Sequence, residues 1–446
     1  MKKNRNMGNE SLLASVKPSK AIVNLAIPAT LALLAKAVYN IVDTAYIGML
    51  NSDTALAAVV SIENIFAAGA GVLAGRQLGE RNNEEANRTV TTIVGFSIMV
   101  GIGLCIVGLL SMEPLLRAFG ASEAVLPQAK EYAFWMFIAA LFNLPAQSLN
   151  CAARAESSVK ISSIAVITGA ALNVVLDPVF MFSWGLNMGV EGASLATTIS
   201  QCITFIILAV FYLGGFSILK IKRKYFRLSA DFIWSVVSIG IPTAVIQICL
   251  AVATSLTNVA AKSLPDSDLI IAAYGVVQRL VLIGCYVIMG FMQGYQPVAS
   301  YAFGAKNKER FFASAKFALK GSLLLTAAVE LLYIVLSKPL ILLFNRNPLV
   351  VEYGKWLLIS QVALYPAFGI CYMMTITFQT IGASKMGLFL SLIRQCLFYV
   401  PFILMLPGMF GVSGIYFSQP AADLLTLLIC VLLIKSMKRK ILQNMD

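Results

Sequence analysis

Residues 25–48, LAIPATLALLAKAVYNIVDTAYIG, recur in altered form at 239–262 as IGIPTAVIQICLAVATSLTNVAAK, with Pro28 opposite Pro242. Each stretch is long and apolar enough to cross about 30 Å of hydrocarbon as a helix. The chain therefore carries one membrane helix in two copies. Two further pairs keep the same order: RAESSVKISS at 154–163 with QTIGASKMGL at 379–388, and MGVEGASLATTIS at 188–200 with FGVSGIYFSQPAA at 410–422. The offsets are 214, 225 and 222 residues, differences that small insertions accommodate. The repeat predicts a duplicated six-helix unit. An even helix count makes the copies parallel, related by a pseudo-two-fold axis along the membrane normal.

Composition supports a membrane setting. Hydrophobic residues are 59% and charged residues 12% of the 446, about half the charged share of a soluble domain, and mean hydropathy is +0.82. Apolar windows predict twelve spans, at 22–49, 54–75, 89–111, 126–150, 161–183, 190–214, 231–261, 269–303, 312–336, 350–375, 386–407 and 411–434. The fold class is thus an all-α polytopic membrane protein, with twelve transmembrane helices in two six-helix bundles. The expected organisation is a cytoplasmic tail 1–20, an N-lobe 21–219, a basic linker 220–230, a C-lobe 231–434 and a second cytoplasmic tail 435–446. The polar, basic start predicts no cleavable signal. Helix 2 is expected to be short, since residues 57–79 count 23 where their repeat counterpart 272–304 counts 33.

The net charge of +13 is a topology signal. On this reading 25 of the 34 Lys and Arg fall on one side of the membrane and 6 on the other, which places both termini in the cytoplasm. A nucleic-acid footprint is not expected. The chain has no histidine, its eight cysteines are scattered, and no metal-ligand cluster or nucleophile–base pair stands out. An enzyme and a bound cofactor are therefore not expected.

Charges inside the spans are the functional candidates, because each is expensive unless paired or facing water. They are Lys36, Asp43, Glu63, Asp177, Arg279, Glu330, Arg394 and Asp423. Lys36, Tyr39, Asn40 and Asp43 share one helical stripe. Asn173 lies four residues before Asp177, with Pro178 next. The repeat mates of Asp43 and Asp177 are Thr257 and Val400, so this carboxylate pair belongs to one half only. Two carboxylates in a secluded polar pocket bind H⁺ or Na⁺ reversibly; simple bonding across helices is the alternative. Lys36 is expected to pair with Glu63 and leave Asp43 free to load an ion, the alternative being a lysine that snorkels into a wet cavity. The acidic and basic residues of the second half are expected to form structural pairs.

With a proline and an aspartate in helix 1, RQLGERNNEEANRT after helix 2, LNVVLDP in helix 5 and GVEGASLATTIS opening helix 6, the chain resembles the multidrug and toxic compound extrusion (MATE) transporters along its whole length. The resemblance implies antiport: organic compounds, often cationic, leave in exchange for H⁺ or Na⁺. It puts the ion on Asp43, Asn173, Asp177 and Thr197, with Tyr39 beside them, and helix 1 bending on Pro28. Lys36 stands where many relatives carry a neutral polar residue, so Lys36 and Glu63 are expected to tune the electrostatics. The expected setting is the inner membrane of a bacterium, the expected partners are small organic cations and membrane lipid, and a monomer is expected. A flippase of lipid-linked precursors in the same superfamily is the rival reading.

Overall fold

The computed structural model describes residues 13–47, 53–118, 123 and 125–445, and the side chains of 39–47, 53–61, 118 and 444 lie outside what it describes. Among the described residues all regular structure is helical. In chain order the long helices are α1 (Pro18–Ile47), α2 (Asp53–Gly79), α3 (Asn83–Leu110), α4 (Leu126–Ala155), α5 (Val159–Met181), α6 (Gly189–Leu213), α7 (Ala230–Lys262), α8 (Ser267–Gly304) and α9 (Lys308–Val335). They continue as α10, broken into Pro348–Val362 and Tyr365–Thr380 with a 44° bend, α11 (Ser384–Phe410) and α12 (Val412–Met445). These are the twelve helices of the two-bundle membrane fold, close to the boundaries expected from apolar windows. Ten are long and apolar enough to span a membrane, or eleven with the bent α10, counted over the described residues. The remaining helix is α2, with 27 residues against 38 for its counterpart α8.

Backbone detail carries the repeat further than side chains do. The loop after α2 has Arg81 at φ 58 and then Asn82, whose side chain accepts from Glu85 N–H to cap α3. After α8, Lys306 stands at φ 50 and Asn307 caps α9 by accepting from Arg310 N–H. Ser157 (φ 67) and Gly382 (φ 77) hold matching left-handed positions, as do Gly189 and Gly411, both at φ 58. An Asn cap satisfies a first-turn amide that the helix leaves without a partner.

Large apolar side chains such as Leu110, Leu324, Leu331 and Leu432 are exposed around the bundle, the pattern of a lipid-facing surface. Inside, buried tyrosines keep their hydroxyls bonded. The Tyr295 hydroxyl meets Thr377 Oγ1 at 2.9 Å, and Tyr333 donates to the Leu280 carbonyl at 2.6 Å.

The halves meet closely toward the end that carries the basic loops. There α1 runs along α8, and α2 along α7 and α8. Glycine makes this approach possible: a Cβ on Gly304 would fall 1.9 Å from the Arg76 carbonyl oxygen, and one on Gly79 would fall 2.2 Å from that of Tyr301. Gly240 faces the Ile65 backbone in the same way, at 2.3 Å.

Candidate functional site

A cavity of about 290 Å³ lies between the halves, walled by α1, α2, α4, α5 and α6 on one side and by α7, α8 and α10 on the other. Amides dominate its polar surface, among them Asn143 and Gln147 from the first half and Gln247, Gln293 and Gln296 from the second. Met289, Met292 and Tyr372 supply polarizable and aromatic surface. Amides donate and accept alike, and methionine adapts its shape. Such a lining tolerates varied organic molecules.

A second, smaller space of about 40 Å³ lies within the first half and is lined by Lys36, Asn143, Asn173, Thr197 and neighbours from α4 to α6. Asn173 and Asp177 share a face of α5 at i, i+4 spacing. The Asn173 Nδ2 donates to Asp177 Oδ1 at 3.1 Å and to Thr197 Oγ1 of α6 at 3.1 Å. Asp177 is fully buried, and Asn173 and Thr197 nearly so. The Asn173 Oδ1 is buried and accepts no hydrogen bond among the described residues. Among the described residues the Asn173 oxygen is thus a buried acceptor that a proton donor or a hard cation such as Na⁺ suits.

Three of the expected ion ligands, Asn173, Asp177 and Thr197, are thus together. The other two, Tyr39 and Asp43, sit on the helical backbone of α1, which packs along α5; their side chains lie outside the described residues. Pro28 lies inside α1 without ending it, flanked by Ala26 and Thr30, against which Gly294 and Gly290 of α8 pack.

Lys36 lines both spaces, and Glu63 lines the larger one. Glu63 is buried and its direct partner is Asn143, whose Nδ2 donates to Oε1 at 2.5 Å. Lys36 lies within electrostatic reach of Glu63. In the second half Arg394 and Asp423 form an ion pair, Nε to Oδ1 2.7 Å, with Gln419 Nε2 donating to the same oxygen at 2.9 Å. A π-helical stretch, Ile393–Tyr399, presents Arg394 to this pair. Neither Arg279 nor Glu330 makes an ion pair among the described residues, so the expectation of structural pairs holds for Arg394 and Asp423 alone.

Two arginines just beyond the ends of the expected spans 54–75 and 126–150 are instead packed inside the protein. Arg154 occupies the last turn of α4, is 9% exposed and lines the large cavity. Arg76 lies in the last turn of α2, between the halves. Apolar windows stop at the first charge, whereas helices α2 and α4 run on past it. A readable signal was present in α4, because Asn143, Gln147, Asn150 and Arg154 fall at i, i+4, i+7 and i+11, one polar stripe of a helix.

The MatE family model matches residues 28–179 and 242–405, once in each half and starting at the two paired prolines. The multidrug export protein MepA of Staphylococcus aureus (strain N315) is 24% identical over 425 residues, 93% of each chain. MepA of Staphylococcus haemolyticus (strain JCSC1435) is 22% identical over 432 residues, 95% of this chain and 94% of that one. A solved MATE structure in complex with MaL6 shares the fold at a TM-score of 0.90 and 21% identity, covering 97% of this chain and 99% of its own. Matched in both halves by one family model, the chain belongs to the MatE family, the multidrug and toxic compound extrusion transporters.

Proposed function

We propose that the protein is an alternating-access antiporter of a bacterial inner membrane, with both termini in the cytoplasm, exporting small organic compounds in exchange for H⁺ or Na⁺. The observation that carries this reading is the Asn173 amide bridging Asp177 and Thr197 in a buried site next to the cavity between the halves. An ion bound there neutralises Asp177 and offers a partner to the Asn173 oxygen. Asp43 and Tyr39, further along α1, complete the ligand set. Binding then changes how α1 is held against α5, and α1 bends at Pro28, where the proline leaves one backbone hydrogen bond unmade. Rearranged walls release the cargo. The MepA relatives are named as multidrug exporters, and transport by such a site requires no covalent chemistry. A cavity of about 290 Å³ matches a small organic cargo better than a lipid-linked oligosaccharide.

The test is efflux of organic dyes, ethidium as a cation and fluorescein as an anion, from proteoliposomes with imposed pH and Na⁺ gradients applied separately, for the wild type and Asp177→Asn. Efflux driven by one gradient and lost in the variant is expected, and the effective gradient names the ion. Wild-type protein that is folded yet responds to neither gradient overturns the reading.

A further inference from the structure

The charges on the cavity wall are unequal. Among the described residues Arg154 and Lys36 face the cavity from the first half, against one carboxylate, Glu63, and the lining from the second half is uncharged. Glu63 already accepts from Asn143 and lies in the field of Lys36, which among the described residues leaves Arg154 as the charge without a carboxylate. Its neighbours do not neutralise it. Nη1 donates to Asn150 Oδ1 at 2.7 Å and to Ser162 Oγ at 3.4 Å, and Nη2 donates to Cys151 Sγ. All three acceptors are neutral and belong to the same half. Of the five guanidinium N–H groups, Nε–H and one on Nη2 have no acceptor among the described residues. The nearest acid in sequence, Glu156, is turned away, accepting from Ser217 Oγ at 2.7 Å and from the amides of Ile218 and Leu219 at 3.0 and 3.1 Å.

A buried guanidinium without a carboxylate is costly to maintain. An arriving anion with two oxygens offers the remaining N–H groups the fork geometry they favour. We propose that Arg154 is a substrate anchor and that the transported compounds carry an anionic group, a carboxylate, sulfonate or phosphate. The amide and methionine walls hold the organic body of such a compound. The inference rests on the export reading above and replaces the organic cation expected from family resemblance.

The probes are fluorescein, an organic anion, and ethidium, an organic cation, each loaded into proteoliposomes of the full chain and driven by the same pH and Na⁺ gradients. Wild type is expected to move fluorescein at least about tenfold faster than protein-free vesicles do. Arg154→Gln is expected to remove that transport by about tenfold or more, the scale of losing a charged hydrogen-bond partner. Arg154→Lys, which keeps the charge, is expected to recover part of it. Ethidium movement that persists while fluorescein is not carried overturns the proposal and leaves the export reading standing. Equal loss of both probes in Arg154→Gln also overturns it, since that marks a structural role. If the variants do not fold, the wild-type preference between the two probes decides alone, and an equal or greater rate for ethidium counts against the proposal. No gradient-driven movement of either probe by folded wild type overturns both readings.

Discussion

Arg76 Nε donates to the Thr380 carbonyl oxygen at 2.6 Å, and its Nη2 donates to that of Gln379 at 2.7 Å, so a side chain of α2 closes the end of α10 in the opposite half. These carbonyls belong to the last helical turn, which leaves its acceptors without intrahelical donors. A guanidinium there also meets the negative end of the helix dipole. The same group lies over the Phe303 ring of α8, 5.2 Å from its centroid. Every one of these contacts crosses between halves, beside the Gly79 and Gly304 approach.

Parting of the halves at the basic end therefore breaks the Arg76 contacts. Arg76→Ala is expected to shift the protein toward a form open at that end, by about a hundredfold or more in population for two lost charged hydrogen bonds. Cys151 lines the cavity and reports the change. Its labelling by a membrane-impermeant maleimide added at the basic side should accelerate in Arg76→Ala, with Cys151→Ser as the control. An unchanged rate removes Arg76 from any latching role.

Glu156 gives the second prediction, through pH. It follows the last residue of α4, and burial pushes its carboxyl up to about 7 despite hydrogen bonds from Ser217, Leu219, Ser158 and Ile218. Between about 4.5, its ordinary value, and about 7 the folded protein holds a proton that the unfolded chain has released. The contribution of this group to stability therefore falls as pH rises through that window and is level above it. Wild type should lose Tm from pH 5 to pH 7.5 by a few degrees more than Glu156→Gln does, measured by tryptophan fluorescence in one detergent. A wild type that gains stability relative to the variant over this range contradicts the assignment.

Much of the fold could be read in advance because its causes are local. An apolar run of bilayer length forms a helix whatever surrounds it, and matched stretches at 25–48 and 239–262 disclose the duplication. The short α2 followed from counting residues between matched landmarks. The buried Asn173–Asp177 pair was legible because a charge interrupts an apolar run there. Arg76 was not, and Arg154 only through the polar stripe it shares with Asn143, Gln147 and Asn150, because a charge near a predicted helix end reads as a loop charge until packing shows what covers it. The π-helical stretch at 393–399, which carries Arg394, left no mark in composition, since α and π turns are built from the same apolar residue types.

The Asn173 bridge predicts separation of transport from stability. Asn173→Ala removes the donor that ties Asp177 to Thr197 across α5 and α6. Each neutral bond contributes only about 0.5–1.5 kcal/mol net, so Tm should fall by no more than a few degrees. Gradient-driven efflux of whichever dye the wild type carries should fall about tenfold or more, with the ion concentration for half-maximal rate raised. Efflux that survives with unaltered ion dependence places the coupling ion elsewhere.

The Arg394–Asp423 pair makes the opposite prediction, stability without a part in ion coupling. Asp423 is 1% exposed, and the Arg394 guanidinium both binds it and lies 5.0 Å from the Phe368 centroid. Removing one partner strands a buried charge, a loss of about 3–5 kcal/mol, whereas replacing both with apolar residues of similar volume is often neutral. Arg394→Met is therefore expected to lower Tm sharply. The double variant Arg394→Met with Asp423→Leu should regain most of the loss, and Gln419, which also donates to Asp423, sets the residual cost. Transport by the double variant should keep the ion dependence of wild type. Losses in Tm that simply add would show that the two charges stabilise the protein independently, through Phe368 and Gln419 and not through each other.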